Sequence, residues 1–472
     1  MSAFGIDFGT TNSAAVELQG SSVREYGYAQ SPLPSIVAID IATGEAKAGP
    51  EVKERQLEFE QSGQYHVVRS IKSMLNEDRH WKTERGRWTP AMVAAEVLRT
   101  LSNQVRQFGV EGGIQEATFS VPVGVRPNAI RVLREAASIA GIRVNGVIKE
   151  STAALFGHLE RTRDCRHVVV FDWGGGTLDI TVLEIRGQTI YERYVDGFPR
   201  AGDLIDEDLA RRVHPRICDD GTSFDDQSVT DRDQLLVRCE RAKCELATAS
   251  EAHIWLPQYA GKSRTITVSK DFCRPAIEPY VNEAVELLAR SISRSGLSVD
   301  AIDEIIVIGG SSKLWLLRQV IEEDSRFGGI SFFPDKPEWD VARGAAVVDQ
   351  HPGSYTLAET LGLELSDGSH FELVRPGDVP GGPASSVNLA LVEDVRAANI
   401  VIDRWSPDSV VNRELADQFI VKTLGFDEEA VDLSWNITKD LTLSVHGRSL
   451  AHGNDSKIDR EITRLRFGYR IS

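Results

Sequence analysis

Cysteine is scarce in this chain. There are five in 472 residues (Cys165, Cys218, Cys239, Cys244 and Cys273), and no two form a C-x-x-C pair. An odd, scattered set builds neither a disulfide framework nor a zinc site, and it fits a reduced, cytoplasmic protein. Positive charge is also short: 53 Lys and Arg stand against 70 Asp and Glu, for a net charge of −17. A nucleic-acid partner would call for a basic stripe, so none is expected. No charged-then-apolar leader opens the sequence and no apolar run is long enough to span a bilayer, which argues against a signal peptide or a membrane partner. Two common nucleotide signatures are missing as well, the G-x-x-x-x-G-K-[ST] loop and the G-x-G-x-x-G fingerprint.

What the chain does carry is a repeated turn. Gly5-Ile6-Asp7-Phe8-Gly9-Thr10-Thr11-Asn12-Ser13 lies almost at the first residue, and Phe171-Asp172-Trp173-Gly174-Gly175-Gly176-Thr177-Leu178-Asp179 repeats its plan. Each copy is an apolar run, an aspartate, a glycine turn with threonine, and a second strand-like run. The pattern predicts a β-hairpin whose turn presses its backbone against something bulky and anionic, an approach that glycine permits. Turn N–H groups and threonine hydroxyls can then donate to phosphate oxygens. The aspartate at the strand end is placed to hold a water on Mg²⁺, which keeps its hydration shell and takes few protein ligands. A single Gly-Gly-Gly-Thr is more often just a tight turn. Two copies, each with its aspartate, predict a clamp on a triphosphate.

A third glycine element, Ile305-Ile306-Val307-Ile308-Gly309-Gly310-Ser311-Ser312-Lys313, predicts a buried strand ending in a glycine pair. Leu314 to Glu323 then has helical apolar spacing. Such a junction lets an adenosine lie against bare backbone near a helix N-terminus. Val341-Ala342-Arg343-Gly344-Ala345-Ala346-Val347 predicts a small-residue helix that can pack closely behind it.

These segments resemble the seventy-kilodalton heat-shock protein (DnaK-type) chaperone family, inside the actin and sugar-kinase ATPase superfamily. Further segments are similar to the family's motifs: Lys149-Glu150-Ser151-Thr152-Ala153-Ala154 to its connecting motif, Val121-Pro122 to its switch, Arg69-Ser70-Ile71-Lys72-Ser73-Met74-Leu75 to its catalytic-lysine segment, and Cys239-Glu240-Arg241-Ala242-Lys243-Cys244-Glu245-Leu246 to its adenine-side helix. The resemblance implies an α/β fold: a two-lobed, actin-like (duplicated ribonuclease H-like) ATPase domain over residues 1–350, a short linker at 351–356, and a β-sandwich over 357–472.

It also implies roles. Asp7 and Asp172 would hold magnesium through water, while Gly9, Thr10, Thr11, Asn12 and Gly174, Gly175, Gly176 and Thr177 cradle the phosphates of ATP or ADP, with Gly202 and Asp203 beside them. Lys72 would place positive charge on the γ-phosphoryl oxygens. Glu150, Asp179 and Thr177 would orient the attacking water or accept its proton. Glu240, Lys243, Gly309, Gly310, Ser311, Lys313 and Glu338 would surround the adenosine. Potassium is a further implied ion.

The chain departs from the family's pattern in places. The connecting proline is Ser151, so Glu150 loses a rigid neighbour. A stacking arginine is Cys244, an adenine-bonding serine is Ala247, and another arginine is Lys313, which cannot fork its hydrogen bonds in the same way. Few residues separate Lys72 from the helix expected near Thr89-Pro90, which trims one lobe of the family's ATPase.

From about Gln350 the texture changes. After the turn-rich His351-Pro352-Gly353-Ser354 come short period-2 runs: Leu361–Leu365, Phe371–Val374, Val387–Leu391, Asn399–Asp403, Phe419–Leu424, Val431–Trp435 and Leu441–Val445. Such spacing predicts a small β-sandwich. Thr360 to Pro380, Asn412 to Phe419 and Val431 to Val445 resemble the family's peptide-binding sandwich, which grips an extended apolar polypeptide by strand recognition. The leucine-rich interdomain linker and the helical lid have no counterpart, so bound peptide is expected to leave quickly. Asn399 stands where the pocket strand is usually apolar. Arg460, Arg464, Arg466 and Arg470 read as a solvated basic tail.

The resulting expectation is an ATP-dependent chaperone with unfolded polypeptide clients, and with a J-domain co-chaperone and an exchange factor as possible partners. A scaffold for one dedicated partner, or a small-molecule kinase of the same superfamily, are the alternatives.

Overall fold

The computed structural model describes residues 2–28, 31–122, 125–198, 201–218, 221–351, 353–392, 396–405, 413–425, 429–463 and 465–470. Pro352, Asn412 and Arg464, named above, lie outside them. The chain divides into two compact units, one of residues 1–123, 132–185 and 193–351, the other of 124–131, 186–192 and 352–472.

In the first unit the first glycine turn joins strands Ala3–Phe8 and Asn12–Gln19, antiparallel, with Asp7 opposite Ala14. Strand Glu116–Val121 lies parallel on the other side of Ala3–Phe8, with Ser120 opposite Asp7, and Arg143–Lys149 follows it. The second turn repeats this plan. His167–Trp173 and Leu178–Arg186 pair antiparallel with Asp172 opposite Asp179, and Glu304–Ile308 runs parallel beside the first of them, with Ile308 opposite Asp172. Strands in such central positions are covered on both faces and so read as near-continuous apolar runs; Ile6, Phe8, Val168, Val170 and Phe171 are all buried. Each aspartate thus stands at the carboxyl end of a central strand, where pairing switches from antiparallel to parallel and open α/β sheets leave a crevice for ligands.

Helices lock these sheets. The small-residue helix spans Asp340–Gln350 and packs on strand Ala3–Phe8 and on helix Glu150–Gly157. It comes so close that a Cβ on Gly344 would lie 1.6 Å from the carbonyl oxygen of Ala153. Helix Pro90–Gln107 starts as expected, with Pro90 in its first turn and the Thr89 hydroxyl accepting the Met92 N–H at 3.3 Å. Its residues Val93, Val97, Leu101 and Val105 recur at helical spacing and are fully buried, each stabilising the fold by roughly 1.5–3 kcal/mol. No helix among the described residues is long and apolar enough to cross a membrane.

The second unit is β-rich. One sheet has the order His370–Val374, Thr360–Glu364, Ala397–Trp405, Glu414–Lys422; the other has Ser385–Ala390, Ala430–Ile437, Leu443–Ser449, Ile458–Ile462. Strict alternation along Ala430–Ile437 turns Val431, Leu433, Trp435 and Ile437 inward. The Trp435 indole N–H donates to the Leu373 carbonyl at 2.6 Å, tying the sheets together. With the first unit, this makes a mixed α/β fold with a repeated plan followed by a β-rich region, the class implied by the sequence.

The basic tail needs correction. Ile458–Ile462 is a sheet strand, and Phe467–Arg470 pairs with Ser354–Leu357 and with residues 189–191. Ile462, Leu465, Phe467 and Tyr469 are buried, while Arg460 donates to the Gln418 carbonyl at 3.2 Å and the Arg466 N–H to Glu359 at 2.9 Å. Alternate apolar residues between the arginines give this segment one face to bury, and burial holds it in place.

Candidate functional site

The two glycine turns and the strand–Gly-Gly junction converge on one cavity of about 470 Å³ in the first unit. Its wall includes Asp7, Gly9, Thr10, Thr11, Asn12, Lys72, Glu150, Asp172, Gly174, Gly175, Gly176, Thr177, Asp179, Asp203, Glu240, Lys243, Gly309, Gly310, Ser311 and Glu338. Of the residues named from the sequence, Gly202 and Lys313 are the two off this wall. Both touch residues on it: the Gly202 carbonyl accepts from Lys243 Nζ at 3.0 Å, and Lys313 Nζ donates to Glu338 at 2.6 Å.

Bare backbone makes the cavity. A Cβ on Gly175 would meet Thr11 Oγ1 at 2.7 Å and Asp203 Oδ1 at 3.1 Å, so the opposing turns leave room only for glycine. Gly309 has φ +84°, and a Cβ there would stand 2.5 Å from Asp172 Oδ1 and from the Trp173 carbonyl. The Ser311 hydroxyl donates to the Gly174 carbonyl at 2.7 Å, joining the third glycine element to the second.

Charge is concentrated around Lys72. Lys72 Nζ lies 2.5 Å from Glu150 Oε1, and both side chains are largely buried. Burial alone would lower the lysine pKa, but Glu150 and Asp7 hold it above its ordinary value. Burial pushes Glu150 up to about 7, against the pull of Lys72 and with help from Asp7 and Asp179. It raises Asp172 and Asp179 too, the latter tempered by the Thr177 hydroxyl bonding it at 2.9 Å. The Ser120 hydroxyl donates to Asp7 at 2.7 Å. The lysine is aimed by an uncommon backbone: Ser70, just before helix Ile71–Met74, has φ 54° and ψ 41°. Non-glycine residues held there cluster at functional sites.

The residue that sequence reasoning missed is Asp206. It is buried on helix Gly202–Val213 and bonds Lys243 Nζ at 2.7 Å, and burial raises its pKa to about 7. Its one local signal was its place a turn beyond Asp203. The rim carries another pair, Lys53 to Glu240 at 3.1 Å.

These residues fit a magnesium nucleotide. Asp7, Glu150, Asp172 and Asp179 are hard oxygen donors opposed by one lysine, and their mutual repulsion is relieved by a dication. Among the described residues no three His, Cys, Asp or Glu side chains converge for direct ligation. The glycine cradle fits phosphates in the same way, by donors with no side chain in between.

A pH dependence follows. Folding raises Glu150 from 4.5 to about 7 and Asp206 from 3.8 to about 7. The stability linked to these protons is full below the unfolded values and is lost as pH rises through 7. The nucleotide-free chain should therefore lose part of its thermal stability between pH 5 and 8, by about 1–3 kcal/mol per group. Glu150→Gln should flatten the slope; melting curves across that range check this, and equal slopes would contradict it.

The sequence pattern of one known family, described as Hsp70 protein, matches residues 46–350, more than half of the chain.

Proposed function

Because the chain belongs to the Hsp70 protein family, we propose that it is an ATP-dependent chaperone-like protein in which ATP hydrolysis switches the grip of the β-rich unit on unfolded or extended polypeptide. Members of that family generally bind ATP or ADP with magnesium, hydrolyse ATP, and bind unfolded clients together with co-chaperones. The observation that carries the reading is the buried Lys72–Glu150 pair on the wall of the cavity that two glycine turns also line.

Asp7 and Asp172 would hold magnesium through its waters; bound there, the ion supplies charge neutralisation on the phosphate oxygens. The chain's own groups do the rest. N–H groups and hydroxyls from Gly9 to Asn12 and from Gly174 to Thr177 grip the phosphates, with Gly202 and Asp203 closing the side. Lys72 donates to the γ-phosphoryl oxygens, where charge spreads as the bond breaks. Glu150, with its pKa raised to about 7, is matched to accept a proton from water near neutrality. Asp179 and Thr177 orient that water. Glu240, Lys243, Gly309, Gly310, Ser311, Lys313 and Glu338 surround the adenosine. Potassium would be a further ion near these carboxylates. Client release would be tied to nucleotide state by differential affinity, with a J-domain protein and an exchange factor as partners. The scattered cysteines, with no C-x-x-C pair among them, support a cytoplasmic setting.

A scaffold for one dedicated partner is the second reading. Asn399 favours it: this exposed polar side chain accepts from Gln418 at 2.9 Å on a strand where an apolar pocket residue is usual for the family. Phosphate release from ATP by the purified chain, with magnesium and with EDTA, tests the proposal. Release that needs magnesium and rises with an unfolded peptide supports it; nucleotide binding without hydrolysis, alongside one stoichiometric partner in a pull-down, would move the reading to the scaffold.

A further inference from the structure

A second chemical cluster lies in the β-rich unit, on an outward sheet face. Ser444 and His446 are two residues apart on strand Leu443–Ser449 and so share a face. Asp459, on the neighbouring strand Ile458–Ile462, stands opposite His446 in register. His446 Nδ1 lies 2.5 Å from Asp459 Oδ1, and His446 Nε2 lies 3.1 Å from Ser444 Oγ. The bond from His446, with Lys457 Nζ 3.6 Å from the other carboxylate oxygen, holds Asp459 below the usual carboxylate range. An ionised carboxylate only accepts, so Nδ1 carries a proton, and in the neutral imidazole Nε2 accepts from the serine hydroxyl.

A His–Asp pair across two strands is an ordinary sheet contact. This one differs in its third member and in the direction of its protons. Hydroxyl to imidazole to carboxylate is the connectivity that turns a serine into a nucleophile. Asn436 stands opposite Ser444 on the other neighbouring strand. Directly opposed residues share a face, so Asn436 places an amide donor beside that serine. The His446 side chain is 47% exposed and Ser444 is half-buried, so the pair opens to solvent.

We propose that Ser444 and His446, with Asp459 as positioning residue, form an acyl-transfer site that takes small activated esters. Ser444 Oγ bonds to the ester carbonyl carbon and its proton passes to His446 Nε2. The bond from that carbon to the leaving oxygen breaks, and the same proton goes to the departing alkoxide. Water gives a proton to His446 Nε2 as its oxygen bonds to the acyl carbon, the bond from that carbon to Ser444 Oγ breaks, and the same proton passes to Ser444 Oγ, leaving a carboxylic acid and the free hydroxyl. The chemistry is independent of nucleotide.

The test treats the full chain with para-nitrophenyl acetate and, separately, with a fluorescent fluorophosphonate, and locates the adduct by mass spectrometry. Modification of Ser444 is expected, with its rate lowered about a hundredfold in His446→Gln and the adduct lost in Ser444→Ala. Asp459→Asn should turn the imidazole round, slowing the reaction and altering its pH profile, and Asp459→Glu should restore part of the rate. The altered side chains sit on the outer face, so melting temperatures should stay unchanged and separate chemistry from folding. Labelling that persists in Ser444→Ala, or rates that ignore His446→Gln, would overturn the proposal.

Discussion

Lys72→Ala is expected to slow single-turnover ATP hydrolysis by about a hundred- to a thousandfold. In the proposed mechanism its ammonium meets the γ-phosphoryl oxygens as charge develops on them, so the loss falls on the transition state more than on the bound nucleotide. The ground state changes too. Asp7, Glu150, Asp172 and Asp179 keep their places, but the lysine that restrains the rise in the pKa of Glu150 and Asp172 is gone. Glu150 should then bind its proton more tightly, so the residual rate should rise with pH over a wider range than in the parent. Nucleotide affinity, measured by calorimetry, should change by less than about tenfold, because the glycine turns still hold the phosphates. A normal single-turnover rate would remove Lys72 from the mechanism.

The second large effect is on the fold itself. Gly344→Val should destabilise the first unit by about 4 kcal/mol or more, lowering its melting temperature by on the order of 10 °C. The new Cβ would fall 1.6 Å from the Ala153 carbonyl, a backbone atom inside helix Glu150–Gly157 that cannot swing aside. The helices must separate, and that reaches the site. Glu150 opens one helix, while Val341, in the first turn of the other, lines the same cavity as Glu338. Any folded fraction should therefore bind nucleotide more weakly. Thermal unfolding with and without magnesium ADP reads both effects, and a parental melting curve would mean that these helices do not touch at Gly344.

The parts that could be read from the sequence share a cause: their signals are local. Asp7 and Asp172 precede glycine turns between apolar runs, and the hairpins form there because glycine and β-rich flanks leave little choice. Thr89-Pro90 announced a helix start in the same way. Asp206 was illegible because its partner, Lys243, is 37 residues away and on another helix. The left-handed Ser70 that aims Lys72 carries no glycine to mark it. The strands at Ile458–Ile462 and Phe467–Arg470 were hidden by their arginines, since a charged outward face looks like a solvated tail until the residues between the charges are seen to be buried. The Ser444, His446 and Asp459 cluster was invisible for the same reason as Asp206, because strand register brings its third member in.

The central claim is that nucleotide state governs polypeptide binding, and the most direct test is the dissociation rate of a labelled unfolded peptide measured in magnesium ATP and in magnesium ADP. Faster release in ATP than in ADP is the predicted result. Equal release in both would contradict the switch and leave an uncoupled nucleotide-binding unit, and failure to bind unfolded peptide in either state would favour the dedicated scaffold.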